Sequence, residues 1–293
     1  MTDAAIDPIV LDLIENALLN ARFEMDEVVR RAAMSPTIRV QHDEFPRICN
    51  ARGQMVVGQF GSYIPEVIDR FGGDITEGDV ILLNDPYLCK GSVSHLNDWL
   101  VIVPIFHADI HVGFSSMFGH MMDVGGKVPG SQVNEATSIW EEGLRIPPIK
   151  IFERGTLNEA ALAVILNNTR TSETNRSDLM ALIGGCRAAE RRVTEICERF
   201  GRDTFAAACE ALLVRTRDAM ARLIRQYIPE EKVSFTDWSM TTDSATARSR
   251  WCSLYGARAT SAIATGREPT TRLRPPPTFT SMRVCASCFS GST

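Results

Sequence analysis

The stretch HLNDWLVIVPIFHADIHVGFSSMFGHMMD, residues 95–123, decides the reading of the fold. Two apolar runs, Trp99–Phe106 and Ile110–Met117, flank His107-Ala108-Asp109. Both runs are short, rich in β-branched and aromatic residues and bounded by turn formers, which predicts two strands around a tight turn. The outer ends repeat one pattern. His95-Leu96-Asn97-Asp98 precedes the first strand and His120-Met121-Met122-Asp123 follows the second. If the strands pair as a hairpin, the two units meet at one end of the sheet. Imidazole nitrogen with carboxylate oxygen suits a divalent ion such as Mn, Fe or Zn. Spacing alone leaves another reading open, in which these are polar strand ends hydrogen-bonded to the backbone. Gly119, Gly125 and Gly126 would let the backbone approach a ligand closely.

Working outward, Arg52-Gly53 reads as a turn between strands Arg47–Ala51 and Gln54–Gln59, and Val80–Leu83 as a strand stopped by Asn84-Asp85-Pro86. Asp7-Pro8 is a helix start, and the apolar spacing from Ile9 to Met34 is helical until Ser35-Pro36. Glycine and proline dominate from Gly125 to Pro148, which predicts a long ordered loop of the kind that often carries function. Helical spacing returns from Leu157. Ser177–Phe200 ends at Gly201, and Thr204–Tyr227 reads as a second long helix. The expected class is α+β: an N-terminal helix, a central mixed β-sheet, a long C-terminal helical hairpin and an irregular tail. Among the remaining polar residues, Asp85 would cap a turn or orient a neighbour. Glu142 and Arg145 lie in the long loop and would contact an anionic substrate or form a surface pair. Asn168, Arg170 and Asp178 flank a helix connection and read as caps and a structural salt bridge.

The 293 residues leave room for one large domain or two small ones, and a net charge of −5 without a basic run argues against a nucleic-acid partner. No apolar stretch reaches the roughly 18 residues that span a bilayer. MTDAAIDPIV has neither a basic n-region nor a signal core, so a cytoplasmic location with no membrane partner is expected. The eight cysteines then read as reduced thiols, and the lone C-x-x-C pair, Cys285 and Cys288, is a weak signal.

The motifs taken together resemble a known family. N-D-P-Y (84–87), H-L-N-D (95–98), G-H-M-M-D-V-G-G-x-x-P-G-S (119–131), E-G-L-R-I-P-P (142–148) and N-x-R (168–170) follow the order and spacing of the hydantoinase B/oxoprolinase family. With the flanking helices the resemblance covers residues 6–238. It implies a subunit of an ATP-dependent hydrolase that opens cyclic amides of the hydantoin or 5-oxoproline type. The alternative branch is an acetone- or acetophenone-type ketone carboxylase, and a non-enzyme alternative is an inactive fragment with a structural role. The resemblance further implies an A-type partner subunit that binds ATP. It implies a divalent metal on His95, Asp98 and His120, with Asp123 as a fourth ligand, supporting partner or base. Asp85 is a second catalytic candidate, and Gly125, Gly126, Glu142 and Arg145 are substrate-binding candidates. Leu88-Cys89-Lys90-Gly91 replaces the usual glycines after N-D-P-Y, and His42-Asp43-Glu44-Phe45 stands where R-D-F-S is usual. The chain has no Walker-type phosphate loop.

Composition changes after Trp238. Residues 239–293 hold 19 Ser or Thr, seven Arg, no Lys and only two acids, Asp243 and Glu268. The family's D-D-G-x-x-x-x-P segment and its later D-x-x-G-x-x-x-Q segment are missing. Shifting each codon to start at its third base, with GC-rich choices, lets Met240–Ser249 read D-D-G-L-G-N-G-P-F. The same shift restores the second motif within Ala264–Thr278. The expected organisation is therefore a family domain over 1–238 and an out-of-frame or disordered tail over 239–293.

Overall fold

The computed structural model describes residues 6–59, 64–88, 93–133, 136–228, 233–239, 249–258, 261–267 and 282–285. Cys89, Lys90, Gly91, Asp243, Glu268 and Cys288 lie outside these residues, as does much of the expected tail. The chain divides into two compact units, one of Met1–Val133 with Ser138–Leu212, the other of Asn134–Thr137 with Leu213–Thr293.

The first unit opens with α1 (Pro8–Ala32). Asp7 accepts a hydrogen bond from the N–H of Ile9 at 2.8 Å, and Pro8 fills the first position, as expected. The buried stripe is Ile14, Leu18, Ala21, Met25 and Val29. Ile9 and Leu13, read as part of the apolar face, instead lie on the solvent side, at 70% and 45% exposure. Ser35 ends the segment and caps the short α2 (Pro36–Arg39). Next come β1 (Glu44–Asn50), β2 (Met55–Val57), α3 (Ile64–Phe71) and β3 (Val80–Leu83). The decisive stretch forms β4 (Asp98–His107) and β5 (Ile110–His120). Ala108 and Asp109 both have positive φ, 50° and 61°, the backbone of a two-residue turn whose twist matches the flanking strands. A long loop follows, containing one 3-10 turn at Ile139–Glu141, then β6 (Ile149–Glu153), β7 (Thr156–Leu157), α4 (Glu159–Asn167), α5 (Ser172–Phe200) and α6 (Arg202–Tyr227).

The sheet order is β2-β1-β5-β4-β3-β6-β7. Every pairing is antiparallel, so the expected mixed sheet is a purely antiparallel one. β4 is buried on both faces. Trp99, Val101, Val103 and Ile105 pack with the α1 stripe and with Leu179, Leu182, Cys186 and Val193 of α5. Leu100 and Ile102 alternate to the other face and meet Ile64 and Val67 of α3 and Phe114 of β5. Burying each such aliphatic side chain stabilises the fold by about 1.5–3 kcal/mol. The central strand therefore reads as a nearly continuous apolar run.

α5 packs against α1, β4 and β5. Gly185 permits the approach: a Cβ there would stand 2.8 Å from Met117 Sδ and 3.0 Å from Val29 Cγ2. The long helices α5 and α6 form as read, but they are not a hairpin. Gly201 alone separates them, with φ 85°, and an antiparallel return needs about 2–5 connecting residues. The first turns of α6 contribute Phe205, Ala208, Cys209 and Leu212 to the core instead.

In the second unit β8 (Val233–Ser239), β9 (Ser249–Arg258), β10 (Ser261–Arg267) and β11 (Met282–Cys285) form an antiparallel sheet ordered β11-β10-β9-β8. The described part of the tail is thus strand rather than irregular. Ser, Thr and aromatic residues are compatible with extended backbone, and what this composition lacks is a helical stripe.

Candidate metal centre

The β4–β5 register sets Asp98 directly opposite His120. Asn97 locks the two strand ends together. Its Nδ2 donates to the carbonyls of Met121 (2.9 Å) and Gly130 (3.2 Å), and the Met121 N–H donates to the Asn97 carbonyl at 2.8 Å. His95, three residues before the strand, leans back over the pair. His95 Nε2, His120 Nδ1 and Asp98 Oδ1 form a triangle with all three sides 3.2 Å. The side chains of Asp98 and His120 are 11% exposed while that of His95 is 43% exposed, so the cluster opens to solvent on the His95 side. Burial pushes the Asp98 carboxyl up, but the bonds from His120 and His95 outweigh it and hold the group below its usual range. The bond to Asp98 raises His95 against the opposing effect of burial.

The geometry fits a metal ion. Ligand atoms about 2.1 Å from one ion stand roughly 3.0 Å apart at a right angle and roughly 3.4 Å apart at the tetrahedral angle. The observed 3.2 Å falls between them. The outer nitrogens have their own neighbours: Ser94 Oγ is 3.0 Å from His95 Nδ1, and the Gln132 amide is 3.5 Å from His120 Nε2. With its outer proton on Nδ1, accepted by Ser94 Oγ, the His95 ring turns the Nε2 lone pair inward. The atom beside His120 Nε2 is the amide nitrogen of Gln132, a donor, and an amide turned to present its oxygen would accept a proton from Nε2 and leave the Nδ1 lone pair facing inward.

Asp43, just before β1, touches the cluster at His120 only. The His120 N–H donates to its carbonyl at 3.0 Å, and its Oδ2 lies 3.8 Å from His120 Nδ1. Sequence reading missed Asp43, Ser94 and Gln132. The signal for Asp43 was the His42–Phe45 motif, but only the pairing of Glu44 with Gly119 brings that motif to His120.

Asp123 is used differently from the expectation. Its Oδ1 accepts the N–H groups of Gly125 (2.9 Å) and Arg170 (3.0 Å), and its Oδ2 accepts Gly130 N–H (2.9 Å) and Arg170 Nη1 (3.0 Å). Burial would raise this carboxyl, yet these donors together hold it low. A carboxylate so occupied is poorly placed to ligate or take a proton, and it organises the glycine loop instead. Arg170 also donates to the carbonyls of Gly125, Gly126 and Val128. Gly125 and Gly126 have φ of 88° and 81°, and a Cβ on either would stand within 2.6 Å of a backbone oxygen, of Asn168 and Glu141 respectively. Their glycine identity therefore serves loop packing. Asn168 is the C-cap of α4, as expected, whereas Asp178, inside α5, accepts the N–H groups of Met34 and Ser35 between α1 and α2, and the ion pair of Arg170 goes to Asp123.

Asp85 and Arg145 are brought to each other. Arg145 Nε and Nη2 donate to Asp85 Oδ2 at 3.1 and 2.7 Å, while Asp85 Oδ1 accepts the N–H groups of Tyr87 and Leu88. Asp85 thus orients an arginine, with no oxygen spare for the cluster. Asn84 ties this corner to the centre by donating to the carbonyls of Leu96 and Leu144 and accepting Ile146 N–H. Glu142 lies where burial raises its carboxyl and the charge of His95 lowers it.

A model of the hydantoinase B/oxoprolinase family matches residues 7–258. The chain belongs to that family. Among the family's curated proteins, caprolactamase subunit beta of Pseudomonas jessenii is 32% identical over 234 residues, 77% of this chain and 40% of its own length. 5-Oxoprolinase 1 of Arabidopsis thaliana is 27% identical over 242 residues, 74% of this chain and 19% of its own. The crystal structure of ATP-dependent caprolactamase from Pseudomonas jessenii matches with a TM-score of 0.81 at 29% identity, over 90% of this chain and 46% of that one. This member therefore spans about two-fifths of the first relative and one-fifth of the second. The family match runs past residue 238, to 258. Among the described residues no helix is long and apolar enough to cross a membrane.

Proposed function

We propose that this chain carries the metal centre of an ATP-dependent hydrolase that opens cyclic amides, acting with an A-type subunit that binds ATP. The observation that carries this reading is the 3.2 Å triangle of His95, Asp98 and His120. Membership of a family that includes caprolactamase and 5-oxoprolinase supports it. His95, Asp98 and His120 would hold a divalent ion (Mn, Fe or Zn), and Asp43 stands behind His120 without joining the three ligand atoms. Such an ion supplies Lewis acidity toward an amide carbonyl and lowers the pKa of water. Asp98 stays ionised between its two imidazoles. His95 lines the open side, where substrate arrives. Asp123 and Arg170 hold the Gly125-Gly126 loop in place, and Asp85 aims Arg145 toward substrate beside Glu142. ATP is consumed at the partner. The same reading confines the family domain to 1–238 and takes 239–293 as out of frame.

The test is metal analysis of the purified chain after loading with Mn, Fe or Zn. One tightly held ion is expected, lost in His95→Ala and in His120→Ala. A folded preparation that binds none overturns the assignment. Assays with the A-type subunit then separate the two enzyme branches: ATP-dependent opening of 5-oxoproline or hydantoin supports the hydrolase, and bicarbonate consumption with a ketone supports a carboxylase.

A further inference from the structure

Arg145 is built into a setting that folding alone does not explain. Asp85 is buried and fixes one edge of the guanidinium through Nε and Nη2. Nη1 has no hydrogen-bond partner among the described residues, and the side chain is 25% exposed. The guanidinium carbon lies 4.9 Å from the Trp140 ring centre and 5.3 Å from that of Tyr87. Trp140 and Tyr87 are 74% and 56% exposed as residues, so the fold gains little hydrophobic stabilisation from either. Two aromatic surfaces and a rigid, partly exposed donor edge converge at one place. Asn84 ties that place to Leu96, the residue after His95.

We propose that Tyr87, Trp140 and Arg145 form a recognition site for an oxyanion carried by the cyclic-amide substrate, either a carboxylate on the ring or a phosphate. This rests on the hydrolase reading above and adds the substrate's charge class to it. The chemistry is complementary. A planar guanidinium fork pairs with two oxygens of one oxyanion, and a fixed fork loses less freedom on binding than a mobile one. The aromatic faces take the flat amide ring. A lysine at the same position would keep the charge and lose the fork.

The test is a ligand-observed NMR titration of the full chain with 5-oxoproline, with 2-pyrrolidone, and with inorganic phosphate as competitor. 2-Pyrrolidone is the same ring without the carboxylate. Metal content is measured on every sample. Wild type is expected to bind 5-oxoproline about tenfold more tightly than 2-pyrrolidone, the scale of one charge-assisted contact. Arg145→Gln is expected to erase that preference, and Arg145→Lys, which keeps the charge without the fork, to reduce it. Trp140→Ala, at an exposed ring that the fold does not need, is expected to weaken both ring ligands together. Displacement of 5-oxoproline by phosphate assigns the site to phosphate as well, and no displacement restricts it to carboxylate. Equal binding of the two rings, or a preference that survives Arg145→Gln, overturns the proposal. So does a Trp140→Ala variant that binds both rings normally but no longer associates with the A-type subunit, because the rings are then a docking surface. If metal is retained while oxyanion preference is absent, only this inference falls. If metal binding itself fails, the hydrolase reading falls first.

Discussion

Residues 95–148 and residues 233–285 both contain antiparallel strands, yet their sequences differ in kind. In the first region the backbone pairing and the side-chain chemistry agree. The β4–β5 register places Asp98 against His120, the buried runs alternate between two cores, and Asp123, Asn97 and Asn84 each spend their polar atoms on named partners. In the second region the described strands, 233–239, 249–258, 261–267 and 282–285, pair in register, in a stretch of sequence in which Ser, Thr and Arg prevail. A strand ladder by itself specifies little. Polar satisfaction and packing that point the same way distinguish an evolved site from a sequence that is merely compatible with strands.

The sharpest way to break the first region is at its loop clamp. Asp123→Ala would leave four donors and the Arg170 charge without their acceptor. The Arg170 side chain is 42% exposed and can turn to water, so the cost comes mainly from the backbone N–H groups left without an acceptor, about 1–3 kcal/mol. Denaturant unfolding should show that loss, with metal binding reduced alongside, because Gly130 and Gln132 then lose their position. A loss under 1 kcal/mol would mean that the loop is held by other contacts. Gly185→Leu comes next. It forces a side chain into the α1–α5 contact, where even a Cβ would lie 3.2 Å from Met25 O. Overpacking of this kind costs about 1–3 kcal/mol, read as a lowered Tm.

How much of this was legible beforehand depends on the range of the interaction. The two H-x-x-D units, the strands between them and the helix start at Asp7-Pro8 are local patterns, and they appear where the periodicity put them. The family resemblance rested on the same motifs. Non-local facts were not visible. Asp43 reaches His120 only because β1 pairs with β5, and Asp123 serves Arg170 only because α4 and α5 return beside the loop. The spacing of His120 and Asp123 suggested a shared role. The backbone N–H groups of Gly125 and Gly130 claim the carboxylate first. The helical hairpin was misread for a related reason. Helical periodicity identifies a helix but not its partner, and α5 finds α1 across more than a hundred residues.

A smaller effect tests the electrostatics beside the centre. Burial pushes Glu44 up to about 7 from the usual 4.5. The hydrogen bond and charge of His42 oppose the shift, and the charges of Asp26 and Asp43 add to it. The folded state therefore holds this proton more tightly than the unfolded chain, and stability should fall as pH rises from 4.5 through 7. Glu44→Gln removes the ionisation. It should match wild type near pH 5 and exceed it at pH 8 by on the order of 2 kcal/mol. Parallel pH–stability curves for the two proteins would show that Glu44 is ionised in the fold.

The smallest expected effect lies in the second region and bears on the reading frame. Leu254 in β9 pairs with Ser234 and Thr265. If residues 239–293 are out of frame, no selection has fitted this position to its neighbours. Leu254→Asp should then change the unfolding midpoint by no more than an ordinary surface substitution, within about 0.5 kcal/mol. A buried leucine in an evolved sheet would instead cost several kcal/mol when replaced by a charge. Sequencing the gene across codons 236–242 gives the independent check, with a gained or lost base expected there. An intact frame together with a large Leu254→Asp penalty would return this sheet to the evolved protein. The family match that runs on to residue 258 would then mark a real extension of the domain.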